Sequence, residues 1–430
     1  MMRKHTLAGL GMVWSQAMCA KVSNGHGHLP AFASAPPRQP SGSSGLADFG
    51  AGAALGGGGE AGVGPRDRGH RSSPQQGVGG HGSGGAGGER SDKAAARSQL
   101  IFVGTGSSTA VPSAFVLLHP ELDSRQSAIA QLSVATPPEV NKNYRGNTSV
   151  LVRVVKEEKQ EGADSGGEGE DGNGDRGGDG GERGRIRKRV QHVQIDTGKT
   201  WREGVIRWFP RHGVPGLDGI VLTHDHADAI LGLDDVRSIQ NSGDRTPTPV
   251  HVSQQTNKSG SNMVFPYLVG REHDNGKGGR FVAALKFHVF QDFQPFEVGG
   301  LEVTPFPVLH GEDYVSHGFL FGPEGNKICY ISDVSRVPPE SLEFLQSQGP
   351  MQLLVCDALY RSRKHPTHFS VEDSVVLAGQ LKARRTLLVG LGGDIEYHAT
   401  NALLASQEEA EAGMPHVRLA YDGLAVDIDL

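Results

Sequence analysis

The sequence predicts a layered α/β protein, on three observations. From Asp196 onward, short β-branched or apolar runs repeatedly stop at a polar residue suited to metal or phosphate. The stretches between those runs carry helix signals. The glycines, 62 of 430 residues, crowd into the first hundred positions and a tract near 160–184, where almost nothing apolar could build a core. One folded unit remains, and strands that stop at functional residues place its site along one edge of the sheets.

In chain order, residues 1–97 read as a disordered tail. Met1 to Ala47 contains no Asp or Glu and carries Arg3, Lys4, Lys21 and Arg38, a composition that suits an organelle transit peptide. The apolar run Thr6 to Ala20 supports a secretory segment instead, and an untargeted tail is the third reading. The compartment therefore stays open between plastid or mitochondrion and cytoplasm.

A first strand covers Ser98 to Val103 and opens a folded domain over 98–430. Thr148 to Val155 and Val190 to Ile195 read as a hairpin with an overgrown loop, a low-complexity insertion at 157–189 that closes with the basic cluster Arg183 to Arg189. Such an insertion costs little, because loop-closure entropy grows only with the logarithm of length, and a solvated spacer is favoured over a partner-binding segment. The later runs are Ile220–Leu222 before Thr223 and His224, Val303–Leu309 before His310, and Ile328–Ser332 before Asp333. Leu353–Cys356 then leads to Asp357, and Thr386–Leu391 to Gly392 and Gly393. Helices are expected over Thr200–His212, Pro339–Gln348, Ser370–Leu381 and Thr400–Gly413, with Pro339 opening the second and Ser370-x-x-Asp373 forming a capping box on the third.

A net charge of −6 gives no basic field, so a nucleic-acid substrate is not favoured. Cys19, Cys329 and Cys356 form no C-x-x-C pair, which argues against a disulfide framework and a cysteine zinc site. No stretch reaches the roughly 18–20 apolar residues of a membrane span, and no membrane association is expected.

The sharpest local feature is Thr223-His224-Asp225-His226-Ala227-Asp228-Ala229, directly after a buried strand. Two histidines at i and i+2 in a turn can aim both imidazoles at one point. Neutral imidazole is a ligand for zinc, iron and manganese, and it needs an acceptor on its other nitrogen to fix the tautomer. Taken alone, the heptapeptide is also compatible with a polar loop holding ordinary histidines.

The heptapeptide resembles the H-x-H-x-D-H motif of the metallo-β-lactamase superfamily, and further landmarks follow in order. Ile195-Asp196-Thr197-Gly198 resembles the strand-end aspartate that buttresses the metal loop, Pro307-Val308-Leu309-His310-Gly311 the third histidine ligand, and Tyr330-Ile331-Ser332-Asp333 the bridging aspartate. Val103-Gly104-Thr105-Gly106-Ser107-Ser108 is similar to the glycine-rich opening of the subgroup containing RNase Z and the PhnP-type cyclic-phosphate phosphodiesterases. The blocks Leu233 to Arg237, His310 to Tyr314 and Ser332 to Ser335 resemble eukaryotic PhnP-like proteins rather than RNase Z. The resemblance spans residues 100–430 apart from the acidic insertion. It implies an αββα four-layer sandwich and a metal held by His224, His226, His310 and Asp333.

Two departures bear on the metal count. Ala229 stands where the motif has histidine, and Gly390 or its neighbours Leu391, Gly392 and Gly393 stand where a last histidine ligand is expected. Both losses fall on the second metal position, so one divalent ion, zinc or manganese, is the preferred reading; His398 is the weak substitute. Residues 104–147 contain no cysteine, so the structural zinc of PhnP-type enzymes is not expected either.

A divalent ion makes water acidic enough to attack near neutral pH. Asp228 then reads either as base or orienter for that water or as support for a histidine. His368 matches the phosphate-binding, acid-type histidine of the phosphodiesterases, against a role as a helix cap; His365 and His317 are weaker candidates. Asp234 and Asp235 are expected to hold Arg237 or cap a helix, Asp357 to back the site, and Met263, Phe265, Tyr267 and Leu268 to be core. Gly104 and Gly106 would let backbone approach the metal loop. The leading function is metal-dependent hydrolysis of a small, cyclic or open phosphodiester, with a homodimer left open. A thioester or carbonyl hydrolase, and a pseudoenzyme binding a metabolite or partner, are the alternatives.

Overall fold

The structure, a computed structural model, describes residues 97–159, 186–240, 246–268 and 282–430. The expected tail up to residue 96, Cys19 and most of the insertion lie outside the described residues.

Fourteen strands among the described residues form two seven-stranded sheets. The first contains β1 (Gln99–Gly104), β2 (Ser149–Lys159), β3 (Ile186–Ile195), β4 (Gly219–Val221), β5 (Thr248–Val252), β6 (Leu285–Val289) and β14 (Ala425–Asp427), in the order β14-β1-β2-β3-β4-β5-β6. The second contains β7 (Phe296–Val298), β8 (Leu301–Leu309), β9 (Val315–Phe321), β10 (Lys327–Ile331), β11 (Met351–Asp357), β12 (Thr386–Val389) and β13 (Val417–Leu419), in the order β13-β12-β11-β10-β9-β8-β7. The helices are α1 (Ala114–Leu118), α2 (Ser124–Val134), α3 (Trp201–His212), α4 (Ala227–Ile230), α5 (Gln254–Thr256), α6 (Pro339–Ser347), α7 (Val371–Gln380) and α8 (Tyr397–Ala410).

Strand alternation builds the layers. In β1, Leu100 and Phe102 enter the core between the sheets, while Ile101 and Val103 pack outward on Trp201, Val205 and Trp208 of α3. In β11, Leu353 and Val355 face the same central core, while Leu354 and Cys356 join Leu345 of α6, Val375 of α7 and Leu404 of α8. Three apolar layers thus separate helix, sheet, sheet and helix, which is the expected αββα sandwich. Cys329 and Cys356 are free thiols within it. No helix among the described residues is long and apolar enough to cross a membrane.

Local signals explain most boundaries. α7 begins at the expected capping box: Asp373 N donates to Ser370 Oγ at 3.3 Å and Ser370 N donates to Asp373 Oδ2 at 3.0 Å. Helix α3 closes at Gly213, whose φ of 62° suits a residue without a Cβ. Helix α8 starts at Tyr397, earlier than Thr400, because Glu396 accepts the Ala399 N–H at 2.6 Å and caps it. The β2–β3 hairpin also runs further than expected. Glu157 faces Lys188 at 3.6 Å and Glu158 reaches Arg189 at 3.5 Å, so charges that read as loop are cross-strand pairs.

β3, β4, β5 and β6 run parallel, as do β10, β11, β12 and β13. Asp196, Thr223, Asp333, Asp357 and Gly390 stand at or just beyond the carboxyl ends of five of these strands. Ligand sites in α/β sheets collect at such ends.

Candidate metal centre

Asp196 follows β3 with a φ of 60°, a left-handed conformation that aspartate tolerates better than most residues. Its Oδ1 accepts the Thr223 N–H and its Oδ2 the Thr223 hydroxyl, both at 2.9 Å. With Asp196 ionised, Thr223 has spent its one proton, so His224 Nδ1, at 2.8 Å, donates to the Thr223 oxygen. His224 Nε2 is left as a bare lone pair. That atom is buried and has no hydrogen-bond partner, and the residue is 1% exposed. Burial pushes the Asp196 carboxyl up to about 8, against the pull of both Thr223 bonds, so the ionised arrangement belongs to the site when it holds a cation, whose charge favours the carboxylate.

His310 is oriented the same way by a different partner. Its Nδ1 donates to the Thr367 carbonyl at 2.8 Å, which leaves Nε2 free. Burial, and then the neighbouring His368, hold its pKa down at about 4, while burial and His226 hold His224 well below the ordinary 6.5. Both are neutral, as metal ligands must be. The ligand atoms of His224, His226 and His310 all lie within 4.8 Å of one another. A zinc ion with Zn–N distances of about 2.0–2.1 Å holds its nitrogens within that span. The residues fit a divalent cation, and the orphaned His224 nitrogen is the sign of it.

The four expected ligands do not fall into one group. Asp333 joins His310 and His368 in a second set within 4.8 Å, and the two sets share His310. With Nδ1 committed to Thr367, His310 offers one nitrogen, so an ion on that nitrogen is shared by the two sets. Asp333 also follows its strand in a left-handed conformation, φ 47°. Burial pushes its carboxyl well up, reinforced by Asp228 and Asp357 and opposed by His368.

His368 does not cap α7; Ser370 does. Instead His368 Nδ1 lies 2.8 Å from Oδ2 of the fully buried Asp357 and 3.8 Å from Asp333 Oδ1. Burial alone would lower its pKa, but the charge and hydrogen bond of Asp357, with Asp333 and Asp228, raise it to about 9. Asp228 is half-buried in the first turn of α4, and no hydrogen bond links it to His368 or the three imidazoles among the described residues. It acts on the site through its charge.

The missing last ligand has a steric cause at residue 390. Gly390 has a φ of 68°, and a Cβ there would fall 2.0 Å from Asp357 Oδ1. The carboxylate that holds His368 fills that place. His398 is exposed in the first turn of α8 and joins neither ligand set. His365 is held locally by Thr367, and the buried His317 bonds Asp292 at 3.0 Å. Asp234 pairs with Arg237 at 3.4 Å. Phe265 and Leu268 are core and Tyr267 is half-buried, while the Met263 side chain lies outside the described residues.

Gly104 and Gly106 correct one expectation. They admit the backbone of residues 145–147, with a Cβ at 104 falling 2.0 Å from the Asn147 carbonyl. The glycine that admits the metal loop is Gly198, where a Cβ would lie 1.8 Å from the Asp228 carbonyl. Sequence reasoning also missed Thr223, Thr367, Asp225 and Tyr314 as supports. Thr223 sat in the motif without a role, and Tyr314 was signalled only as an aromatic residue in the turn after His310.

Residues 191–390 match the family described as "Beta-lactamase superfamily domain". An octanoyltransferase from Porphyromonas gingivalis (strain ATCC BAA-308 / W83) is 27% identical over 217 residues, 50% of this chain and 39% of that protein, so the chain spans well under half of that relative. A solved diphosphatase of the PhnP family is 27% identical with a TM-score of 0.53, over 78% of this chain and 99% of that one. Zn(2+)-bound PqqB from Methylobacterium extorquens shares the fold at 15% identity and a TM-score of 0.51, over 77% of this chain and 100% of that one. Residues 191–390 thus carry a beta-lactamase superfamily domain, the fold is that of the metallo-β-lactamases, and the chain is similar to a diphosphatase of the PhnP family.

Proposed function

We propose that the chain is a metal-dependent phosphodiesterase acting on a small, cyclic or open phosphodiester, with one divalent ion, zinc or manganese, held by His224, His226 and His310. Asp333 is the fourth ligand by resemblance. The observation that carries this reading is the buried, partnerless Nε2 of His224 facing two further imidazoles. The similarity to a PhnP-family diphosphatase supports a phosphoryl substrate over other hydrolase substrates.

A bound divalent ion supplies Lewis acidity: it acidifies water and polarises a phosphoryl oxygen. The chain's own residues do the rest. Thr223 and Thr367 fix the tautomer and orientation of His224 and His310, which burial keeps neutral. Asp228 takes the proton of the attacking water as the new O–P bond forms. His368, protonated at neutral pH and held at Nδ1 by Asp357, gives the proton on Nε2 to the leaving oxygen as the old P–O bond breaks.

The test is hydrolysis of bis-(p-nitrophenyl) phosphate with added manganese or zinc by the native protein, His226→Ala and His368→Ala. Loss of activity in His226→Ala is expected, together with a smaller loss in His368→Ala, because nitrophenolate leaves without a proton. Equal activity in all three proteins would end this reading.

A further inference from the structure

We infer that Tyr314 is a positioning residue of the metal centre: its ring sets the orientation of His226, and Asp225 sets the ring. The inference rests on the proposed metal site, and it concerns what makes that site rigid.

Two of the three imidazoles are turned by hydrogen bonds, His224 through Thr223 and His310 through Thr367. His226 has no such partner on either ring nitrogen among the described residues, and it is exposed, at the position just before α4. An imidazole so placed can rotate about both side-chain torsions and can present either nitrogen. Tyr314 supplies the constraint. Its ring stacks on His226 with centroids 4.6 Å apart and planes 17° apart. It also meets His224 and His310 edge-on, with centroids 6.0 Å away in each case, so one aromatic face backs the whole ligand set.

The ring is itself fixed at both ends. Its backbone carbonyl accepts the His310 N–H at 2.9 Å, closing a turn that contains Gly311 at φ 113°. Its hydroxyl donates to Asp225 Oδ1, and Asp225 Oδ2 takes the hydroxyl of Ser259 from the helical segment Asn257–Val264. One side chain therefore ties the loop of the third histidine to the loop of the first two. Asp225, between two ligand histidines, has both carboxylate oxygens engaged by hydroxyls, so its place is in the clamp.

The experiment is titration of the metal-free protein with Zn²⁺ against a chromophoric chelator, and with Co²⁺ read by its visible spectrum. Native protein is compared with Tyr314→Phe, Tyr314→Leu and Tyr314→Ala. Tyr314→Leu keeps the bulk without the aromatic face, and circular dichroism shows which variants are folded. Loss of a group that orients a ligand lowers metal affinity by about 10–100-fold. That loss and an altered cobalt spectrum are expected in Tyr314→Leu and Tyr314→Ala, with a smaller loss of affinity in Tyr314→Phe, which keeps the stacking face but gives up the hold of Asp225. Native affinity and spectrum in a folded Tyr314→Leu would overturn the inference. If the native protein itself takes up neither ion, the metal site is wrong and the inference falls with it.

Discussion

Asp357→Asn tests the proton donor directly, because it removes the charge that raises His368 and keeps the shape. His368 stands at about 9 against an ordinary 6.5, and the side chain is only 10% exposed. The difference, 9 − 6.5, is worth about 3 kcal/mol at 1.36 kcal/mol per pKa unit. Because the folded pKa is raised, this stabilisation is complete below about 6.5 and is lost as pH rises through about 9. Without the charge and hydrogen bond of Asp357, only Asp333 and Asp228 oppose burial and His368 falls toward its ordinary 6.5. At pH 8 the protonated fraction then drops by up to about 30-fold, and the rate on a substrate with an alkoxide leaving group drops with it. A bound cation lowers His368 in both proteins, so the difference between them is what is measured. The assay is kcat/KM against pH for an alkyl phosphodiester, alongside thermal melting of the metal-free proteins against pH. The alkaline limb of activity should move to lower pH, and the loss of stability between pH 6.5 and 9 should shrink. An unmoved alkaline limb in a folded Asp357→Asn protein refutes the donor role.

His310 belongs to both ligand sets, so His310→Ala should abolish metal uptake, whereas His226→Ala keeps His224, His310 and Asp333 and retains weakened binding. Elemental analysis after dialysis decides it, and metal in His310→Ala comparable to native would contradict the shared-ligand geometry. Thr223→Val keeps the volume but strips the bridge between Asp196 and His224, so affinity for Zn²⁺ should fall about 10–100-fold in a competition titration. Unchanged affinity would show that His224 needs no orienting partner. Gly390→Ala places a Cβ on Asp357 Oδ1 at a left-handed φ, with an expected cost of about 2–4 kcal/mol. An unchanged melting temperature would mean that Asp357 moves aside freely.

The fold was legible where one physical signal dominated. Strands β3, β4, β10 and β11 read as apolar runs that stop at Asp196, Thr223, Asp333 and Asp357, as the structure shows, whereas the interior strands β5 and β9 were not read. The capping box at Ser370 was written in the sequence because its hydrogen bonds are local. The edge strands β6, β7, β13 and β14 were not legible: they are short, and their pairing is decided by distant partners, as between Gln99 and Asp427. The charged ends of β2 and β3 read as loop because each is stabilised only by the other.

The site divides in the same way. Candidate ligands could be named, His224 and His226 from their spacing and His310 and Asp333 from the family resemblance, but their grouping could not, since Asp333 standing with His368 rather than with His224 and His226 depends on two separate strand ends. The supports of the ligands were harder still. Thr367 acts through a backbone carbonyl, which has no residue identity to read. Tyr314 acts through a stack with a residue 88 positions away.

The contact between Gly390 and Asp357 constrains what this lineage can become. A descendant that gains a side chain at 390 must displace Asp357, and a descendant that trims Asp357 releases His368. Neither substitution is an improvement without the other, so both paths begin downhill. The single glycine works as a ratchet, holding the protein to whatever chemistry His368 allows.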